Sequence, residues 1–189
     1  MTSIFDYGGP QFGLADTKMA VNNSDGTFGT AVDVPSVQVL GVEAVVESQT
    51  LTGDDRQTAS ASRITGANVT LRFGSVHMDV LATMLGITLD EAYGAYTSRR
   101  VMIANKKTPY VGICGKANAE EGAGDTHLFI PRCKVASNFR LQFEYNTFSI
   151  PEITFAAQGD ENFLDADGNA TVIIPVQYET ARDVVLPPV

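Results

Sequence analysis

The chain of 189 residues has no tryptophan, two cysteines and two histidines. Each scarcity removes a class of chemistry. With aromatics at 8%, there is little of the flat stacking surface from which ligand-binding platforms are made. His77 and His127 have no cysteine or carboxylate cluster beside them in the sequence, so no metal centre is expected. Cys114 and Cys133 lie in apolar surroundings. A disulfide would need an oxidising compartment, and in a reducing one they read as two buried thiols. No apolar run approaches the ~18–20 residues that cross a bilayer as a helix. Residues 1–14 have no basic residue followed by an apolar stretch, so no secretory signal is expected and folding in a cytoplasm is. Basic residues are also few: 13 Lys and Arg stand against 22 Asp and Glu, for a net charge of −9. A nucleic-acid binder needs a basic stripe to displace counterions, and none is present.

What is present is enough to bury a core. Hydrophobic residues make up 44% and charged residues 19%, a usual balance for a globular domain, at a length that fits one domain. Residues 1–14, with Gly8, Gly9, Pro10 and Gly13, read as an N-terminal arm. Residues 15–180 read as a single β domain, and 181–189 as a C-terminal tail. The run Asn22, Asn23, Ser24, Asp25, Gly26 supplies a turn after a short strand at 16–21.

The most informative region is 36–73. Residues 36–51 are rich in valine, and 58–73 alternate Ala59, Ala61, Ala67, Val69, Leu71 and Phe73 with Ser60, Ser62, Asn68, Thr70 and Arg72. A period of two over such a length predicts a long hairpin. A two-residue turn at Gly53-Asp54 would set Gly41 opposite Gly66, where both strands bend. It would also place Leu40, Val42, Ala44 and Val46 with Ala59, Ala61, Ala67 and Val69 on one face. Glu43 and Glu47 would share the other face with Ser60, Ser62, Asn68 and Thr70. Val45, Arg63 and Ile64 do not fit either face. About sixteen residues per strand at ~3.3 Å each reach about 53 Å. A compact domain of this length is only roughly 40 Å across. The hairpin is therefore expected to project, and a projecting strand pair exposes backbone and apolar groups unless a neighbour covers them.

After Gly74 the period changes to that of a helix. Val76, Val80, Leu81, Met84 and Leu85 share one side, Ser75 is a plausible N-cap and Gly86 a C-cap, so a helix is expected over 75–86. A further helical stretch is expected at 89–96. Strands are expected at 101–104, 110–116, 127–135, 139–145, 152–158 and 170–178, with turns at 119–125, 136–138 and 159–168. The fold class is mainly β: a sandwich or barrel with one flanking helix and a long projecting hairpin.

Candidate chemistry is thin. Gly112-Ile113-Cys114-Gly115-Lys116 has the wrong spacing for a phosphate loop and lacks its Ser or Thr. Asp165, Asp167 and Asn169 open like a calcium loop, but Val176 stands where the closing glutamate belongs. Asp54-Asp55 and Glu120-Glu121 occupy expected loop tips, without apolar walls to tune an acid–base pair. No catalytic residue, metal or cofactor is expected.

The hairpin ending Thr52-Gly53-Asp54-Asp55, the strand closing Val69-Thr70-Leu71-Arg72-Phe73, and the helix after it resemble, in pattern and order, the major tail tube proteins of long-tailed siphophages. Contractile-tail and type VI secretion inner tube proteins are related to that family. The resemblance implies hexameric rings stacked into a tube, with sheets joined across copies. It also implies a tape measure protein and other tail proteins as partners, and DNA passing without specific binding. The place implied is the tail of a virion, with assembly in the host cytoplasm and no membrane. Gly53, Asp54, Asp55 and Arg56 at the hairpin end become candidates for contacts between subunits or rings, or else solvated turn residues. Glu43 and Glu47 become candidates for the channel face, or else point to outside water. A β-sandwich binding module, or a head–tail connector or decoration protein, is the alternative.

Overall fold

The computed structural model describes residues 11–53, 56–75, 77–87, 90–93, 96–100, 107–119, 124–136, 145, 150–178 and 182–187. The chain is mainly β. Its strands are β1 (Gln11–Val21), β2 (Val32–Asp33), β3 (Val37–Gly53) and β4 (Arg56–Phe73), followed by helix α1 (Met78–Leu85). Then come β5 (Asp90–Tyr93), β6 (Tyr96–Arg100), β7 (Val111–Ala119), β8 (Thr126–Val135), β9 (Glu152–Ala157), β10 (Asp160–Leu164), β11 (Ala170–Thr171) and β12 (Ile174–Gln177). The main sheet runs β2-β1-β7-β8-β9-β4-β3, with β12 also paired to β8, and every pair is antiparallel.

Alternation along these strands divides the core in two. On one face Met19, Val69, Leu71, Ile113, Ile130, Ile153 and Phe155 join Phe73 and the helix residues Val80, Leu81, Met84 and Leu85. On the other, Cys114 and Phe129 pack with Val184, bordered by Phe28, Phe163, Ile174 and Leu186. The sheet curls over the first face: Leu40 of β3 reaches Gly115 of β7, where a Cβ would lie 2.7 Å from Leu40 Cδ2.

The helix is shorter than its periodicity predicts. His77, not Ser75, is the N-cap, with no side-chain cap bond, and Gly86 closes it in the left-handed conformation at φ 65°, which glycine adopts without steric cost. Ser75 Oγ lies 2.9 Å from His77 Nε2. Where a helix was expected at 89–96, the described residues are strands: β5 and β6 pair as a separate two-stranded sheet, Asp90 opposite Arg100. β10 occupies part of the expected turn at 159–168, and β1 begins at Gln11, inside the segment expected as an arm. The turn at 22–26 is present, with Asn23 N–H on Thr27 O at 3.1 Å and Gly26 at φ 84°. The strand expected at 101–104 lies outside the described residues, as does that at 139–145 apart from Tyr145.

Candidate functional site

β3 and β4 pair along nearly their whole length, but not in the register expected. In the body of the sheet Leu40 faces Leu71, Val42 faces Val69 and Ala44 faces Ala67. Gly41 faces Thr70 and Gly66 faces Val45, so the two glycines never meet. The ladder then steps from Val45–Gly66 to Val46–Ile64, which leaves Thr65 as an extra residue. A bulge of this kind moves every later side chain of its strand to the opposite face.

This accounts for two of the three misfits of the simple alternation, Arg63 and Ile64. Ile64 joins Val46 as a cross-strand pair, and Arg63 comes opposite Glu47, Nη2 to Oε2 at 3.1 Å. Ala59 and Ala61 face Leu51 and Gln49, not the apolar side on which alternation alone would put them. A second step follows Leu51, and the last ladder pair is Gly53 with Arg56. Gly53 is thus a strand residue and not the first corner of a type II′ turn. Asp54 and Asp55 lie outside the described residues, and for Gly53 and Arg56 the ladder position alone is described.

The bulge sits where the arm leaves the body. β9 accompanies β4 only from Arg72 to Ala67. At Gly66 the carbonyl of Ala157, the last residue of β9, comes so close that a Cβ would lie 2.8 Å from its oxygen. Only glycine tolerates that approach. From Gly66 to the arm's end no described strand pairs with the far edge of β4, a stretch of roughly 36 Å at ~3.3 Å per residue. The far edge of β3 has no described partner strand either. Such edges present rows of backbone donors and acceptors ready for another strand.

The side chains of the arm are equally bare. Val46 is 55% exposed, Ile64 62% and Leu51 65%. Val46 and Ile64 continue the apolar face of Leu40, Val42 and Ala44 beyond the part that the body covers. Past them this face becomes Ser48–Ser62 and Thr50–Ser60. A pair of large apolar side chains at the root of a polar arm marks a place where something packs.

Glu43 and Glu47 share the face opposite the main core. Glu43 faces Asn68, and Glu47 is matched by Arg63. On the same side Arg72 and Glu152 form an ion pair across the β4–β9 ladder. Arg132 and Lys134 of β8 lie over the Tyr110 ring at 4.2 and 5.5 Å. Charges of both signs therefore occupy this face.

Cys114, Cys133, His127 and Asp160 are titratable groups buried in the body. Both cysteines are free thiols. Burial pushes Cys114 up to about 12, helped by the nearby Asp16 charge, and burial alone raises Cys133. Neither is a nucleophile at neutral pH. His127 is buried, its ring edge-on to Tyr178 at 4.6 Å, and burial holds its pKa below the usual imidazole value against the pull of Asp125. Burial acts to raise Asp160, but hydrogen bonds from Asn162 and Asn22 and the charge of Arg132 outweigh it and lower its pKa. Among the described residues no group of three or more His, Cys, Asp or Glu is placed to hold a metal ion.

No protein-family model matches the chain, and no curated protein sequence matches it. In structure it is similar to a protein of the sheath–tube complex of an extracellular contractile injection system, PVC, in the extended state. The two are 14% identical, with 92% of this chain and 95% of that chain covered and a TM-score of 0.45. It is also similar to a protein of the PVC sheath/tube terminator in the extended state, 12% identical, with 88% and 97% covered and a TM-score of 0.44.

Proposed function

We propose that this protein is a structural virion subunit that assembles with copies of itself into a tail tube of the long-tailed phage kind, a conduit for DNA. The observation that carries this reading is the arm formed by β3 and β4. It runs past the strand that supports it, leaves its far edges without a described partner strand, and exposes Val46 and Ile64 side by side. A second copy laid against it supplies the missing strand and covers the apolar pair. Edges joined from copy to copy close into a barrel, the arrangement that abolishes edges.

Hexameric rings, their stacking, the tape measure protein and other tail proteins as partners, and the virion tail as location follow from the resemblance in hairpin, strand and helix order. They belong to the same proposal. So do the limits of the domain at 15–180, with its arm at 1–14 and tail at 181–189. That DNA passes without specific contacts is part of the same proposal, and the net charge of −9 repels phosphates where it faces the channel. Glu43 and Glu47 are proposed to face the channel. Arg63 offsets Glu47, so Glu43 contributes the larger part of their field. Gly53, Asp54, Asp55 and Arg56 are proposed as contacts between subunits or rings. No cofactor and no catalytic step enter.

Electron microscopy of the purified protein at rising concentration tests the reading. Rings or hollow tubes are expected, and a monomer at every concentration refutes it. Deleting residues 49–57 is expected to leave the β circular-dichroism signal unchanged and to abolish tubes. Normal tubes from that deletion remove the arm from the mechanism.

A further inference from the structure

The segment at 182–186 lies across β1, β7 and β8 without joining any ladder, yet its backbone is fully read at two positions. Val184 donates its N–H to Asp16 Oδ2 at 2.7 Å, and its carbonyl accepts from Lys18 Nζ at 2.9 Å. Arg182 donates its N–H to Asp125 Oδ2 at 2.9 Å, and its carbonyl accepts from Lys116 Nζ at 2.7 Å. Each pair of readers is itself an ion pair: Asp16 with Lys18 at 3.6 Å, Asp125 with Lys116 at 3.4 Å.

The spacing is that of an extended strand. Residues two apart turn both their N–H and C=O toward the same edge, so two Asp–Lys clamps set one strand period apart take the place of a neighbouring strand. The first clamp is shaped by a bulge. β1 spends three steps from Ala15 to Lys18 while β7 spends two, and Asp16 adopts φ 44°. At the first clamp the Val184 side chain enters the pocket of Cys114 and Phe129, with Leu186 packed beside it, while Asp183 and Val185 point to solvent.

We propose that this slot is a peptide-binding site. It takes an extended segment read through its backbone, with apolar side chains two residues apart, and the same segment of a second copy is its alternative occupant. A charge-assisted bond to each N–H and C=O is insensitive to side-chain identity, so the slot accepts either its own tail or a neighbour's, as in strand exchange. The identity of the second occupant rests on the assembly reading above, but the slot does not.

The test uses the full chain carrying Val184→Asp, which places a carboxylate in the apolar pocket and drives out the chain's own segment while sparing both clamps. A labelled peptide with the sequence of residues 180–189 is expected to bind this variant at least ~10-fold more tightly than the unmodified chain, whose slot is self-occupied. N-methylation of the peptide at the position of Val184 removes the proton that Asp16 reads, and at least a ~10-fold loss is expected. Alanine at the positions of Asp183 and Val185 is expected to change nothing. A folded variant that binds no peptide, or binds the N-methylated one equally, overturns the proposal. Should the variant fail to fold, millimolar peptide added to the unmodified chain is expected to speed amide exchange at Arg182 and Val184, and unchanged exchange overturns it. Peptide binding without tubes would leave the slot standing and sink the assembly reading, and tubes without peptide binding the reverse.

Discussion

Replacing Val46 and Ile64 together by threonine separates what the arm does within one molecule from what it does between molecules. Threonine keeps the branched Cβ that suits a strand and removes the apolar character. In the single chain both side chains are more than half exposed, 55% and 62%, so little burial is lost and stability should stay within about 0.5 kcal/mol. In an assembly that covers them the loss is larger. Full burial of such a side chain contributes about 1.5–3 kcal/mol. Scaled to the exposed share, the pair contributes about 2–3.5 kcal/mol per contact, and each ~1.4 kcal/mol is tenfold in an equilibrium constant. The critical concentration for tube formation should therefore rise roughly 30- to 300-fold. Sedimentation velocity over a concentration series measures that rise, and thermal melting of the dilute protein measures the single chain. An unchanged critical concentration with unchanged melting would show that nothing packs on this pair, and the reasoning from exposure to assembly would be wrong.

Three further outcomes follow from the body of the fold. Gly66→Ala pushes a Cβ to 2.8 Å from the Ala157 carbonyl and should cost about 1–3 kcal/mol in denaturant unfolding. Gly41→Ala, whose Cβ meets nothing nearer than 3.8 Å, should be neutral or mildly stabilising, and equal effects would contradict the bulge. His127 is held below the usual imidazole pKa by burial, so the unfolded chain takes up its proton first as pH falls. Stability should be complete above pH ~6.5 and decline below it toward the folded pKa, with a slope of at most about 1.4 kcal/mol per pH unit from this group. Urea melts at stepped pH that show stability increasing as the pH falls through that window would be incompatible with a buried neutral ring. Cys114, raised to about 12, and the buried Cys133 should resist thiol reagents at pH 8 until urea unfolds the chain, and rapid labelling of the folded protein would contradict their burial.

The long hairpin was legible because its side chains alternate over many residues, and a period of two needs no tertiary information. Its register was not. Thr65 is one residue among fifteen or so that look alike, and nothing in its identity marks the ladder step. The signal that was available lay in the misfits. Val45, Arg63 and Ile64 break the alternation at one point, and a frame shift beside Gly66 repairs Arg63 and Ile64 together by pairing them with Glu47 and Val46. The helix was legible on its buried side and at Gly86, but its start was not, since His77 caps without a side-chain bond. Residues 89–96 were misread because a four-residue strand has too few side chains to show a period. The clamps on Arg182 and Val184 left no pattern at all: Asp16, Lys18, Lys116 and Asp125 come together only when β1, β7 and β8 are placed side by side.

The account stands or falls on whether the arm's open edge is completed by another molecule. Amide hydrogen exchange of residues 59–65, followed by mass spectrometry in dilute and in concentrated protein, reads that edge directly. Slow exchange confined to the concentrated, assembled sample is the predicted result. Equal exchange in both samples would mean that no second strand ever pairs there.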